Sequence, residues 1–389
     1  MRVKLGEVFD LQMGKTPARN NPDYWNGDNA WVSISDLGNA EKYIDRTKEK
    51  ITDKGVKESG IKIVPKGTVI MSFKLSIGKT AITAGDMYTN EAIMAFLDKK
   101  ICEMDTDYLY HLFSGFDWSA GTNKAVMGLT LNKATLSKKE IPLPPITEQR
   151  KIAAVLDKVC DLIALRRKQL ERLDLMGKAR FVEMFGDTIK NTYGWNQQYL
   201  SDITLKIGSG ATPKGGKESY CLDGITFIRS MNVYDGRFEY KDLAYINEAQ
   251  AKSLNNVIVC KNDVFINITG ASVARSCIVP DEVLPARVNQ HVAIIRCMEK
   301  EINPIFLNNM FINENFKKHL LAIGESGGAT RQAITKQQLE SLFIIVPPLN
   351  LQQEFADFVT EIDKLKLPIQ RSLDTLEVCK KSLMQEYFG

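Results

Sequence analysis

Two short strings carry the residue types that bind phosphate in nucleotide-binding enzymes. Gly14-Lys15-Thr16 and Gly78-Lys79-Thr80 both match the end of a P-loop, whose full pattern is GxxxxGK[ST]. The pattern also needs an earlier glycine, because backbone N–H groups must wrap around the phosphates. Phe9 and Phe73 occupy those two positions. The sequence therefore argues against nucleotide binding, and the first string is typical of a turn that ends at Pro17.

Other catalytic patterns are also incomplete. An adenine methyltransferase grips a flipped base with a polar residue before Pro-Pro and an aromatic residue after it, but this chain has LPPI and VPPL. In GSGATPKGG, the nearest match to a glycine-rich cofactor turn, Pro213 stands where a helix should continue. Pro22-Asp23 and Pro280-Asp281 lack the acidic-x-Lys string that a metal-dependent nuclease of the PD…(D/E)xK type requires, and Glu239-Tyr240-Lys241 lacks its Pro-Asp.

Cysteine and histidine usage argues against a metal site. The 7 cysteines have no metal-site spacing, and His111, His291 and His319 are the only histidines. The cysteines therefore read as free thiols in a reducing compartment. With no apolar run of transmembrane length and no signal peptide, we expect a cytoplasmic protein that does not contact membranes. The net charge of +4 permits nucleic-acid binding without requiring it.

An internal repeat spans nearly the whole chain. LPPITEQRKIAAVLDK, from residue 143, matches VPPLNLQQEFADFVTE, from 346, and the match continues to EMFG at 183 and EYFG at 386. Earlier matches are GKTP at 14 with GATP at 210, WVSISDL at 31 with FIRSMNV at 227, and YTNEAIMAF at 88 with RVNQHVAII at 287. The second copy has Ala274-Arg275-Ser276 in place of Gly78-Lys79-Thr80, a change that suits a turn or a DNA-facing loop better than a nucleotide pocket.

Each copy consists of a globular part and a helical part. The globular part mixes turns with short β-like runs such as GTVIMSF and NDVFINI. The helical part, about 40 residues long and so ~60 Å at 1.5 Å per residue, begins just after Pro144-Pro145 or Pro347-Pro348.

Both helical parts carry apolar residues at alternating spacings of four and three, which predicts a coiled-coil pair. Two separate amphipathic helices packed on globular domains are the alternative. Pro368 removes a backbone donor and should kink the second helix near Lys364. The seam positions are Ile152, Leu156, Val159, Ile163, Arg166, Leu170, Leu173, Gly177, Arg180 and Met184 in the first helix, and Phe355, Val359, Ile362, Lys366, Ile369, Leu373, Leu376, Lys380, Leu383 and Tyr387 in the second.

The order of these parts, together with the strings LPPITEQRKIAAVLD, ARFVEMFGD, GATP and SGGATRQAI, resembles the specificity (S) subunits of type I restriction-modification enzymes. The resemblance covers essentially the whole chain. The second copy departs from the pattern where Leu351 replaces Glu148 and Gln353 replaces Arg150, which puts equal partner contacts by the two helix starts in doubt.

The resemblance implies an α+β fold in which two mixed α/β target recognition domains are separated by two long antiparallel coiled-coil helices, with a pseudo-two-fold internal repeat. It places the first recognition domain at 1–146, the first long helix at 147–187, the second domain at 188–349 and the second helix at 350–389. The chain would be a non-catalytic subunit that binds double-stranded DNA. Two modification subunits, which carry S-adenosylmethionine, and restriction subunits would join it, while the chain itself would bind no cofactor.

The two globular parts differ in sequence, so their half-sites should differ and the whole site should be bipartite and asymmetric. Four loop regions in each copy offer the side chains that read bases or bind phosphates. In the first copy they hold Lys15, Thr16, Arg19, Asn20, Ser33, Ser35, Asp36, Lys74, Ser76, Lys79, Thr80, Thr122, Asn123 and Lys124. In the second copy they hold Thr212, Lys214, Lys217, Arg229, Ser230, Asn232, Thr269, Ser272, Arg275, Thr330, Arg331 and Gln332.

For each of these residues the alternative is a solvated surface or turn position. Asn90 and Asn289-Gln290-His291 precede apolar runs, so a structural turn and a DNA contact explain them equally well. At the level of the whole chain, the competing hypotheses are a DNA methyltransferase or nuclease in its own right and a purely structural coiled-coil scaffold. The scaffold hypothesis does not account for two large domains with polar loops.

Overall fold

The computed structural model describes residues 1–74, 76–118, 131–213, 215–325 and 332–389, apart from the side chain of Lys217. These residues form two compact units. Unit 1 combines Met1–Arg167 with Arg371–Gly389, and unit 2 comprises Lys168–Gln370.

In unit 1, a five-stranded sheet has the order β2-β9-β6-β7-β4, a three-stranded sheet has the order β5-β3-β8, and β1 pairs with β10. The strands are β1 Arg2–Lys4, β2 Phe9–Met13, β3 Trp25–Val32, β4 Tyr43–Ile44, β5 Glu49–Ile51, β6 Val69–Ser72, β7 Thr80–Thr83, β8 Tyr88–Thr89, β9 Ile93–Asp98 and β10 Glu140–Pro142. The helices are α1 Leu5–Val8, α2 Ile34–Asn39, α3 Asp53–Ser59, α4 Thr106–Gly115, α5 Lys133–Ser137 and the long α6 Ile146–Phe185, which continues into unit 2.

Unit 2 repeats this plan with the sheet orders β12-β20-β17-β18, β16-β13-β19 and β11-β21, and adds the hairpin β14-β15. Its strands are β11 Gln197–Tyr199, β12 Thr204–Ser209, β13 Ile225–Ile228, β14 Val233–Tyr234, β15 Arg237–Phe238, β16 Ala244–Ile246, β17 Val264–Asn267, β18 Ser276–Ile278, β19 Ala286–Val288, β20 Val292–Cys297 and β21 Phe343–Ile345. Its helices are α7 Glu248–Ser253, α8 Pro304–Ile312, α9 Glu314–Glu325, α10 Lys336–Glu340 and the long α11 Leu349–Phe388, which continues into unit 1.

The central strands are apolar on both faces because the sheets are covered on both sides. All four residues of β6 and of β17 are buried. In unit 1, β4 pairs with β7 in parallel. The three-stranded sheet of each unit also contains one parallel pair beside an antiparallel one, β3 with β8 and β13 with β19. These two pairs of the three-stranded sheets matter most for function, because the candidate loops follow their carboxyl ends.

The long helices pair in opposite directions. Within unit 2, Asp174 of α6 lies 2.7 Å from Lys366 of α11, and Arg180 lies 2.8 Å from Glu354. Residue numbers therefore increase along α6 in the direction in which they decrease along α11. Every one of the twenty predicted seam residues is buried or half-buried, including the polar Arg166 and Lys366. The seam is therefore covered along its whole length, as the spacing predicts for a coiled coil.

The ends of the long helices are set by backbone chemistry. α6 ends at Phe185, two residues before the predicted limit, because Gly186 takes a φ of +72° and its N–H donates to the carbonyl of Val182 (2.8 Å). α11 remains helical through Pro368, which is exposed. Water can therefore reach the Lys364 carbonyl that has lost its partner N–H.

A buried glutamine fixes the start of each long helix. Gln149 accepts a hydrogen bond from the Asp105 N–H (2.9 Å) and donates to the carbonyls of Glu103 (3.3 Å) and Pro144 (2.8 Å). This side chain is 1% exposed. The interaction ties the first turn of α6 to the start of α4 and explains the glutamine of the PPxxEQ string.

Gln352 makes the same three contacts in unit 2. It accepts from the Asn303 N–H (2.8 Å) and donates to the carbonyls of Glu301 (3.2 Å) and Pro347 (2.8 Å). We call these two interactions the glutamine clamps. The exchange of Glu148 for Leu351 leaves the neighbouring clamp intact.

The carboxyl end of each long helix packs on a short helix, α8 or α4, whose start is bonded to the glutamine clamp of the other long helix. In unit 2, Phe185 of α6 packs edge-on against Phe306 of α8, with ring centroids 4.7 Å apart. In unit 1, Phe388 of α11 packs against Tyr108 of α4 at 5.6 Å. The aromatic end of the repeated FxxMFG-like string is therefore a core residue in both units.

Unit 1 has one further polar anchor, which has no counterpart among the described residues of unit 2. Asp157 of α6 is 2.6 Å from the Lys42 ammonium and 2.7 Å from Nε2 of His111, which is 2% exposed. Burial lowers the pKa of His111, although Asp157 opposes the shift. Partial burial alone would raise the pKa of Asp157, but the hydrogen bonds from Lys42 and His111 outweigh it and lower that pKa. Thr360, at the repeat position of Asp157, bonds only within its own helix, to the Ala356 carbonyl.

Replacing Gln149 by Leu should destabilise the protein by roughly 2–4 kcal/mol, because an N–H and two carbonyls are left buried without partners. Urea denaturation followed by circular dichroism measures the loss. Gln385→Leu, on the exposed face of α11, is the matched control and should change the midpoint little. An equal loss in both variants would show that the clamp contributes nothing beyond helix propensity.

Candidate nucleic-acid interface

In unit 1, two loops meet where the parallel strands β3 and β8 end. The N–H of Asn90 donates to the Val32 carbonyl (3.0 Å), and its side-chain oxygen accepts from the Ala92 N–H (3.0 Å). The N–H of Lys15 donates to the Thr89 carbonyl (2.8 Å). We call residues 90–92 and their counterparts 289–291 the Asn turns.

The bonds of Asn90 recur at Asn289 in unit 2, whereas the bond from the neighbouring loop joins different backbone groups. The N–H of Asn289 donates to the Ile228 carbonyl (3.0 Å), and its side-chain oxygen accepts from the His291 N–H (3.0 Å). The N–H of Gly210 donates to the Asn289 carbonyl (3.1 Å). The asparagines are thus structural, while the residues that follow them, Glu91 and Gln290, are exposed.

Close backbone approach explains the glycine before each Thr-Pro. A Cβ on Gly14 would lie 2.2 Å from the carbonyl oxygens of Thr89 and Asn90, and one on Gly210 would lie 1.8 Å from that of Val288. Only glycine allows the Thr-Pro loop to lie against the Asn turn. The repeated GxTP string is therefore a packing requirement, which agrees with the exclusion of a P-loop.

The threonines of the two Thr-Pro loops bond to the tips of the Asn turns. The Thr16 hydroxyl donates to Oε2 of Glu91, and the Thr212 hydroxyl donates to Oε1 of Gln290. In unit 2 the chain of contacts extends from Nε2 of Gln290 to Nε2 of His291 (3.1 Å), and from Nδ1 of His291 to the Thr269 hydroxyl. Thr212 and Thr269, which belong to two different predicted loop regions, are therefore linked through one chain of contacts.

Arg19 lies beside the Asn turn of unit 1 but has local partners. Its guanidinium is 4.0 Å from the ring centroid of Trp25 and 4.9 Å from that of Trp31, and it pairs with both carboxylate oxygens of Glu49. The hydrogen bond and charge of Glu49, together with the charge of Glu91, raise the pKa of Arg19 against a smaller opposing effect of burial.

A basic residue occupies the equivalent position in the turn of one β-hairpin in each unit. Lys79 closes the β6–β7 turn through its carbonyl, which accepts from the Ser72 N–H (2.8 Å), and Arg275 does the same for β17–β18 with Asn267 (2.8 Å). Their preceding residues both have positive φ, +89° at Gly78 and +64° at Ala274. The sequence alignment of these two strings is thus a structural equivalence.

Arg275 is held by stacking. Its guanidinium is 4.5 Å from the ring centroid of Tyr234, which Arg237 also contacts at 5.0 Å. No carboxylate among the described residues lies within ion-pair distance of Arg275. Its charge is therefore available to a phosphate.

Several predicted contact residues have structural roles instead. Ser33 and Asp36 bond to each other's backbone N–H and cap the start of α2 (3.2 and 2.9 Å). Asn232 is 0% exposed and caps the turn at Arg229, whose N–H donates to it (3.1 Å). Thr80 is 8% exposed and donates to the Gly78 carbonyl (3.0 Å). Asn232 and Thr80 are buried, so neither side chain is exposed for a contact with DNA in this structure.

The remaining candidates divide by what the structure shows of them. Ser35, Asn20 and Ser76 are exposed, while Lys74, Arg229, Ser230 and Ser272 are half-buried. Gln332 donates to Glu325 (2.7 Å), and its carbonyl accepts from the Gly270 N–H (2.9 Å). Outside the described residues lie Thr122, Asn123, Lys124, Lys214, Thr330 and Arg331, as does the side chain of Lys217.

Comparison with known proteins identifies the family of the chain. The family model of the type I restriction modification DNA specificity domain matches residues 1–175 and again 193–377. The chain belongs to this family. The predicted resemblance is therefore confirmed, and with it the assignment as a non-catalytic DNA specificity subunit of type I restriction-modification.

Individual relatives agree with the family. The specificity subunit of the type I restriction enzyme MjaIX from Methanocaldococcus jannaschii is 29% identical, covering 98% of this chain and 90% of the relative. That of EcoBI from Escherichia coli is 21% identical, covering 84% and 75%. The crystal structure of an S subunit from M. genitalium superposes with a TM-score of 0.60 at 14% identity, covering 100% of this chain and 96% of the other. This similarity confirms the predicted fold of two mixed α/β repeats with two long helices.

Two further findings apply to the part of the chain that the structure describes. It holds no group of three or more His, Cys, Asp or Glu side chains able to bind a metal ion. Among the same residues, no helix has the length and apolar character needed to cross a membrane.

Arg275→Gln should weaken DNA binding to target and scrambled duplexes alike and lower the slope of log K against log salt by about one, because one phosphate contact is lost. Fluorescence anisotropy over a salt series, on the chain assembled with its modification subunit, measures both quantities. Lys300→Gln removes the same charge from an exposed turn after β20 and is the control. A loss confined to the target duplex would instead make Arg275 a base contact.

Proposed function

We propose that the chain reads a bipartite, asymmetric DNA site, one half through each unit, and positions adenine-methylating and restriction subunits on it. The observation that carries this proposal is the pair of Asn turns. The bonds of their asparagines are the same in both units, whereas their tips differ: exposed Glu91 in one, and exposed Gln290 beside half-buried His291 in the other. A shared scaffold with different tips fits two different half-sites on DNA strands related by a two-fold axis.

The repeat also supports two modification subunits per chain, because the two glutamine clamps fix the backbone of both helix starts in the same way, although the side chains beside them differ. S-adenosylmethionine would be bound by those partners, since this chain offers no complete cofactor motif in its sequence. We place the assembly in the cytoplasm, where its DNA substrate lies.

Co-expression with the cognate modification subunit, followed by methylome sequencing, tests the proposal. We expect adenine methylation at a single motif made of two unlike half-sequences separated by a gap of fixed length. The modification subunit alone is the control and should leave no such motif. A continuous palindromic motif, or methyl transfer by the purified chain alone, would contradict the proposal.

The long helices are proposed to set the gap between the half-sites, because each runs without interruption from one unit into the other. Inserting four residues after Arg167 and four after Gln370 adds about one turn, ~6 Å, to each helix while nearly keeping the apolar seam in phase. At ~3.4 Å per base pair, the methylated motif should keep both half-sequences and gain one or two base pairs of gap.

The control for this insertion is the same four residues added at an exposed loop of unit 2, after Asp223, where the gap should stay unchanged. Altered half-sequences with the original gap after the helix insertions would show that the helices serve only as partner docking surfaces.

A further inference from the structure

We infer that Glu91 and Gln290 are equivalent base-reading residues, and that Glu91 selects a cytosine and Gln290 an adenine. The inference rests on the proposed function and deepens it, because it names one specificity-determining residue in each unit. Its starting point is their equivalence: each follows the asparagine of an Asn turn, each is exposed, and each is bonded by the threonine of the adjacent Thr-Pro loop.

The bond from the threonine restricts each side chain. A free Glu or Gln on a surface loses considerable rotamer freedom when it binds, which reduces its contribution to recognition. Here the Thr16 and Thr212 hydroxyls fix one oxygen of each tip before DNA arrives. The glycine before each threonine allows this contact, because any side chain there would collide with the Asn turn. The loop therefore acts as a support for the tip.

The atoms left over determine what each tip can pair with. Glu91 uses Oε2 for Thr16, so Oε1 remains as an acceptor and the group offers no donor. An acceptor suits the N4 amino group of cytosine and is repelled by the adjacent acceptors N7 and O6 of guanine. A carboxylate also repels phosphate, so on a surface that faces DNA, with the Arg19 charge close enough to interact with it, Glu91 is explained better by base reading than by backbone binding.

Gln290 retains both functions of its amide. Its Oε1 accepts from Thr212 and its Nε2 is 3.1 Å from Nε2 of His291, but the oxygen has a second lone pair and the nitrogen a second hydrogen. One acceptor and one donor remain side by side. That pattern matches N6–H and N7 of adenine in the major groove. His291 is itself fixed by Thr269, so the amide is held at both ends.

The reciprocal isosteric exchanges Glu91→Gln and Gln290→Glu test the inference. Each variant chain is co-expressed with the modification subunit in cells that carry a plasmid library with both half-sites randomised, and methylated sites are sequenced. Glu91→Gln should convert one C·G pair of one half-site to a preference for A·T, and Gln290→Glu should do the reverse at one pair of the other half-site. The ratio of methylation at the two bases should change roughly 10- to 100-fold.

Glu140→Gln and Gln337→Glu make the same chemical changes at exposed positions of β10 and α10 and should leave the motif unaltered. Gln290→Ala should relax one position without creating a new preference. The motif methylated with the wild-type chain tests the proposed function separately from the base-reading inference. A wild-type motif that is not bipartite would contradict the proposed function itself. A bipartite wild-type motif with unchanged base preference in both exchanges would overturn the inference alone. Loss of methylation without a new preferred base, in variants that melt and assemble like the wild type, would overturn it as well.

Discussion

The buried glutamine at the start of each long helix is the interaction on which both units depend. A side chain with one acceptor and two donors is placed where the chain must turn from a strand, through two prolines, into a helix. Its three hydrogen bonds reach the backbone before α4 or α8 as well as the proline carbonyl. Because the backbone groups it serves are buried, no apolar residue of similar size can replace it without leaving them unpaired.

At the Asn turns, the hydrogen bonds of the asparagines are the same in both units, while the exposed side chains differ. The asparagine side chain bonds to the backbone two residues ahead in both units, and the backbone continues the parallel ladder. At these turns the exposed side chains that follow the asparagines differ between the copies, Glu91 in one and Gln290 in the other. A recognition surface can therefore change without disturbing the hydrogen bonds that hold it.

The sequence predicted the long helices and their seam better than it predicted which loop residues are exposed. The repeat and the heptad spacing located both long helices and all twenty covered seam positions, because periodic burial leaves a direct trace in residue order. Loop residues leave no such trace. Ser33 and Asp36 look like solvent-facing polar residues but form a helix cap, and Asn232 looks like a base reader but is enclosed by its own turn. Glu91 is not among the predicted contact residues, although its alignment with Gln290 in the TNE and VNQ strings is visible in the sequence.

Charge distribution shows how such a surface can include an acid. The 51 basic and 47 acidic residues leave a net charge of only +4, so the field of the whole chain attracts DNA weakly. We therefore expect attraction to come from local cations such as Arg275, which stacks on Tyr234 without an acidic partner among the described residues. Many other cations are paired, as Arg19 is with Glu49 and Lys42 with Asp157. With a weak overall field, non-specific binding is limited, and the discrimination between sequences is left to the few side chains that the loops hold in place.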